Sequence, residues 1–251
     1  MRARERTSLV EAYVLHGRDW RDTSRILDCV SRAHGRFSVI ARGARRPTAP
    51  WRALLQPFQP LRLSWSMRGE LGNLTGAEAG APAHRFDDGG ERTLAAFYLS
   101  ELMLRGLAPH DPHPEVFDAY AAALAALAEG ADEAIVLRRF ELELLAGLGY
   151  GVRLEAEGEG GAPLDPEAWY RLDPERGLLG LGVREPSSEL GGCRGADLLA
   201  LAVGEHDAAA SRGPLRRALR AALDELLGGR PLRTRAVARE LRRGLAAPGE
   251  A

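Results

Sequence analysis

The residues best suited to chemistry are three arginines in the run Ala41-Arg42-Gly43-Ala44-Arg45-Arg46-Pro47, followed shortly by Trp51-Arg52. A guanidinium offers planar, forked donors that match phosphate oxygens, and it stays charged at any physiological pH. On a loop shaped by Gly43 and Pro47, Arg42, Arg45, Arg46 and Arg52 are spaced to grip a phosphate chain, with Trp51, Phe37 and Phe58 near enough in sequence to stack on bases. Phe58 and Trp65 also read as core residues, since large aromatics more often fill an interior than serve a surface. Arg18, Arg21, Arg25, Arg32 and Arg36 add to the same field, which favours a polyanion-binding surface over a solvated charge run.

Other chemistry is sparse. The chain has no GxSxG elbow, no Walker A loop, no HExxH and no GxGxxG after a strand, so no catalytic residue is assigned and a non-enzymatic protein is expected. His110-Asp111-Pro112-His113 is the most metal-like cluster, but its prolines mark a helix start and one His pair supplies too few ligands. Cys29 and Cys193 form no CxxC pair, so we expect no metal site, no cofactor and reduced thiols in a cytoplasmic setting. The glycines at 158 to 161 sit among Glu155, Glu157 and Glu159, which repel phosphate and suit a loop. The N-terminus MRARERTSLV lacks the apolar core of an export signal, and no apolar run approaches the roughly 18 residues of a membrane span. A soluble protein without membrane contact is the expectation.

A net charge of -1 over 251 residues conceals a strong asymmetry. Residues 1 to 76 hold 14 Arg against 6 acidic residues, residues 77 to 211 hold 10 against 25, and residues 212 to 243 return to 10 against 3. Every basic residue is Arg. A basic head and tail around an acidic middle suit a protein that meets polyanions at both ends better than a small-molecule enzyme.

The elements that must position these residues change period along the chain. Leu9 to His16, Arg25 to Ser31, Phe37 to Arg42, Leu61 to Trp65 and Leu71 to Thr75 read as five short strands, with Ala33-His34-Gly35-Arg36 as a hairpin loop whose glycine supplies a left-handed residue. Five such strands in residues 1–79 match an OB-type barrel, with an SH3-like barrel as the alternative. After the Gly/Pro/Asp-rich stretch at 80–90 the period becomes helical, with helices over about 91–107, from Asp111-Pro114 onward, and from an Asp132 cap to a Gly149-Tyr150-Gly151 stop. Residues 80–150 are thus a central helical domain, 151–195 an irregular, loop-rich insert, and 196–251 a C-terminal helical segment. Its helices, about 213–227 and 234–245, carry basic stripes that include Arg216, Arg220, Arg235 and Arg239. The fold class is α+β.

The runs RDTSRILDCVSRAHGRFSVIARGARRP and RALLQPFQPLRLSWSMRGELGNLTGAE, and later FYLSELMLRGLAP, LRRFELELLAGLGYG and GGRPLRTRAVARELRR, resemble the RecO recombination mediators over nearly the whole chain. The resemblance implies an OB domain, a helical bundle and no catalytic site. It also implies binding and annealing of single-stranded DNA, partnership with RecR, and assistance in loading RecA onto gaps at the nucleoid, with binding of duplex DNA left open. The acidic tail of the single-stranded DNA-binding protein would be received by Val116, Phe117, Arg138 and Phe140, although Arg138 at i+3 from Glu141 also suits an intrahelical pair. Many relatives carry four zinc-binding cysteines in the insert. Only Cys193 stands there in this chain, so no zinc is expected. The rival readings are a scaffold whose barrel binds a partner peptide and an unrecognised nucleic-acid enzyme.

Overall fold

The computed structural model describes residues 5–67, 69–86, 90–150, 153–158, 160–173, 175–187, 192–203 and 213–246. Its contacts divide the chain into two compact units, Met1–Ala128 and Glu129–Ala251.

In the first unit, strands β1 (Glu5–Trp20), β2 (Ser24–Ser31), β3 (Gly35–Ala41), β4 (Leu61–Met67) and β5 (Leu71–Ala79) close into a barrel in the order β1-β2-β3-β5-β4. All neighbours are antiparallel except β3 and β5, which run parallel. This is the topology of an OB-fold. β1 can pair with both β2 and β4 because it is long and bends at two register shifts, Thr7/Val10 and Val14/His16. Alternate residues point inward, so Ala12, Val14, Leu27, Cys29, Phe37, Val39, Leu61, Leu63 and Trp65 fill the interior. Phe37 stacks on Trp65 with ring centroids 4.2 Å apart. Burial of each of the Val, Leu and Phe side chains contributes about 1.5–3 kcal/mol.

Helices α1 (Glu91–Gly106) and α2 (Pro114–Ala128) belong to the same unit. Tyr13 turns outward from β1 and meets Phe117 and Tyr120 of α2 at 5.7 and 5.3 Å. Arg32 donates from Nε to both carboxylate oxygens of Asp118 at 3.0 and 3.1 Å. Arg36 donates to the Leu107 carbonyl at 2.9 Å and accepts from the His110 N–H at 2.8 Å. Gly35 has φ 62, as the hairpin reading expected, and a Cβ there would lie 2.1 Å from the Asp111 carbonyl oxygen. The glycine therefore serves both the turn and the close approach of the helical connection.

The second unit contains α3 (Glu133–Gly147), β6 (Trp169–Asp173), β7 (Gly177–Gly182), β8 (Cys193–Arg194), α4 (Gly195–Ala202), α5 (Pro214–Leu226) and α6 (Arg233–Ala246). The Asp132 carboxylate caps α3, accepting from the N–H groups of Ala134 and Ile135 at 2.9 and 3.3 Å. The stretch at 151–195, expected to be irregular, holds a three-stranded antiparallel sheet in the order β7-β6-β8. Its strands are too short and, in β7, too rich in glycine for alternation to reveal them. Apolar packing holds it, since Tyr170, Leu172, Leu178 and Cys193 share an interior with Leu198 of α4 and Leu215 and Leu219 of α5. Among the described residues no helix is long and apolar enough to cross a membrane.

Candidate nucleic-acid interface

Backbone register assembles the outward face of the barrel from rows of paired residues. His16, Asp28, Ser38 and Leu71 lie side by side across β1, β2, β3 and β5, and Arg18, Ile26, Ile40 and Asn73 form the next row. Trp20 pairs with Ser24 beyond them, and Arg42 follows Ile40 by two residues on the same face. From these rows Leu71, Ile40 and Asn73 line an open cleft of about 640 Å³, together with Trp20, Arg21, Ser24, Arg42 and Arg46.

The loop that carries Arg42, Arg45 and Arg46 is fastened to the β1–β2 turn. The Arg45 N–H donates to the Thr23 carbonyl at 2.9 Å, and its guanidinium sits 3.2 Å from Asp19 and 3.4 Å from the carbonyls of Arg21 and Asp22. Arg45 thus positions its neighbours. Arg42 and Arg46 are exposed and line the cleft, and their guanidinium groups make no hydrogen bond or ion pair among the described residues, the Arg46 backbone alone bonding within its own loop, to the Gly43 carbonyl and the Ala49 N–H. Two unneutralised guanidinium groups on one concave surface have the chemistry to attract an anion.

The other expected arginines are dispersed. Arg18 is exposed in the second row. Arg25 shares the inward parity of Leu27, and its Nη1 donates to the Leu55 carbonyl at 3.3 Å, bracing the β3–β4 connection. Arg36 is held by the Leu107 carbonyl just after α1, at the far end of β3, and Arg52 is exposed outside the cleft. In the second unit, Arg220 and Arg235 both pair with Asp224, at 3.6 and 2.5 Å, whereas Arg216 and Arg239 are exposed.

The aromatics expected to stack are differently placed. Phe37 is in the barrel core, Phe58 is buried and meets Phe97 at 4.8 Å, and Trp51 packs half-buried against the core. The aromatic at the cleft is Trp20, 40% exposed, with the Arg21 guanidinium 6.0 Å from its ring centroid. Sequence alternation missed it because the Val14/His16 shift interrupts the period, so the strand reads as ending near His16.

Val116 and Phe117 lie on α2 in the first unit, Arg138 and Phe140 on α3 in the second, and all four are buried. Arg138 donates from Nε to Glu141 at 2.7 Å and from Nη2 to its other oxygen, which is the intrahelical pair. Among the described residues no three His, Cys, Asp or Glu side chains converge as a metal-binding group. Burial pushes the Cys193 thiol up to about 12, and the Cys29 thiol is raised by the same cause, so both stay protonated and poor as ligands.

Comparison with known proteins agrees with this architecture. Residues 6–82 match the model described as Recombination protein O N terminal, and residues 88–236 match Recombination protein O C terminal. The chain belongs to the RecO family. The DNA repair protein RecO of Methylococcus capsulatus is 42% identical over 230 residues, 92% of each chain. That of Aromatoleum aromaticum is 40% identical over 96% of this chain and 99% of its own, and that of Stenotrophomonas maltophilia 44% over 88% and 92%. The first RecO match spans the barrel, and the second begins just before α1.

Proposed function

We propose that this RecO family member is a non-enzymatic DNA-repair mediator that holds single-stranded DNA on the outward face of its barrel. Strands 2 and 3 and the β1–β2 turn are the surfaces with which OB barrels bind oligonucleotides. The observation that carries the reading is the pair of Arg42 and Arg46 guanidinium groups, without a side-chain partner among the described residues, in the cleft bordered by that turn. On this reading Arg42, Arg46, Arg18 and Arg21 take the phosphates, and Arg45 and Arg25 hold the loop that presents them. Backbone contacts leave base edges free, and neutralising the phosphates of two strands lowers their repulsion, a physical route to annealing. Arg216 and Arg239 offer a second polyanion contact. The protein would act with RecR and help load RecA onto gaps coated by single-stranded DNA-binding protein. The acidic tail of that protein would dock on the helical part of the chain, where Arg138 of α3 is itself buried on Glu141 and serves the helix.

Fluorescence anisotropy of a labelled single strand across a salt series tests the reading. For single strands each phosphate contact contributes about 0.7 to the slope of log K against log salt. The Arg42→Ala/Arg46→Ala variant should therefore bind all sequences more weakly, with a slope shallower by about 1.4. An unchanged slope would place the phosphates elsewhere.

A further inference from the structure

We propose that Trp20 is a base-stacking platform that makes this face select unpaired bases, a role that rests on the reading of the face as a single-strand interface. Four tryptophans occur in the chain. Trp65 is buried in the barrel, Trp51 and Trp169 are half-buried, and Trp20 stands 40% exposed on the wall of the cleft. An indole offers a large flat aromatic face, and Trp20 presents part of it to a cleft that also holds arginines.

Three features bear on its role. Arg21, which carries its guanidinium toward the indole at 6.0 Å, has φ 51, a left-handed backbone that few residues other than glycine adopt. Such strain persists where the surroundings enforce it, and it gathers at binding sites. Here the β1–β2 turn is fastened by Arg45, and it sets Trp20 beside the cations of Arg42 and Arg46. Leu71, 38% exposed and lining the same cleft, adds to the apolar surface that a base would cover. Cations beside an open aromatic face match the alternation of phosphate and base along a strand. Paired and stacked bases have no free face to offer, so a duplex gains nothing from the indole.

The test uses the full chain with Trp20→Ala and Trp20→Phe, each checked for an unchanged melting temperature. Three probes are titrated: an oligothymidylate, a backbone of equal length lacking bases, and a duplex. Trp20→Ala should weaken oligothymidylate binding roughly 5- to 150-fold, the range spanned by one base on one aromatic ring. The base-free backbone and the duplex should bind as before, the salt slope should hold, and Trp20→Phe should recover most of the loss. Equal weakening of all probes, or no weakening of oligothymidylate, would overturn the stacking role while leaving the interface intact. Failure of the unaltered protein to bind either single strand would overturn the interface itself, and the platform with it.

Discussion

Removing the Arg138 side chain should cost more stability than function. Arg138 and Glu141 are 3% and 1% exposed, and the guanidinium donates to both carboxylate oxygens one turn along α3. Arg138→Ala deletes the cation and leaves a carboxylate buried without its main partner. Breaking a buried pair from one side typically costs about 3–5 kcal/mol. At about 2–4 °C per kcal/mol for a chain of this length, the melting temperature should fall by roughly 6–20 °C. The double variant Arg138→Met/Glu141→Leu removes both charges and keeps most of the volume, so it should recover to within about 1–2 kcal/mol of the parent. Thermal and urea unfolding followed by circular dichroism measure both. A single variant melting within about 2 °C of the parent would refute the reasoning, as would a double variant no more stable than the single. Peptide-tail binding by Arg138→Ala is informative only at temperatures where the variant remains folded.

Other outcomes follow from the core. With Cys193 raised from 9.0 to about 12, only about one thiol in ten thousand is ionised at pH 8, so a thiol reagent should label the native protein far more slowly than the unfolded chain. Because both folded thiols titrate above their unfolded values, stability should hold below pH 8.5 and fall as pH rises toward 12, by up to about 1.4 kcal/mol per pH unit per thiol. A flat stability profile in that window would contradict the burial argument. Gly35→Ala should lose more than the roughly 1–2 kcal/mol that a left-handed backbone costs a side chain, since its Cβ also meets the Asp111 carbonyl. Denaturant titration reads that loss. Elemental analysis should find no stoichiometric zinc, and a chelator should leave the melting temperature unchanged.

The barrel was legible because its strands are short apolar runs set off by turn residues, with strict alternation along β3. Inward Leu27, Cys29, Phe37 and Val39 face one way, and the two-residue period of a half-buried strand survives single-sequence reading. Helices α1, α2, α3, α5 and α6 were legible from their 3.6-residue stripes and from caps such as Asp132. What escaped had weak local signals. β6 to β8 are held by packing around Cys193 and Tyr170, contacts contributed by α4 and α5 from beyond the strands themselves. In the candidate site, charge type was readable and presentation was not. Arg42, Arg45 and Arg46 look alike in sequence, yet Arg45 is consumed by Asp19 and the turn carbonyls while the other two line the cleft. Phe37 looked like a platform and proved to be core, whereas Trp20 lay beyond a β-bulge that hid the end of its strand.

The central claim is that single-stranded DNA lies across the outward face of the barrel, and peptide-resolved hydrogen exchange with and without an oligothymidylate tests it most directly. Slowed exchange is predicted in the β1–β2 turn around residues 20–24 and at the start of the β3–β4 connection around 42–46, next to Arg42 and Arg46. Exchange in the barrel interior at Leu27 and Val39 should change little, because those amides are already protected. Saturating DNA that leaves both segments exchanging as in the free protein, with protection confined to residues beyond 129, would contradict the claim.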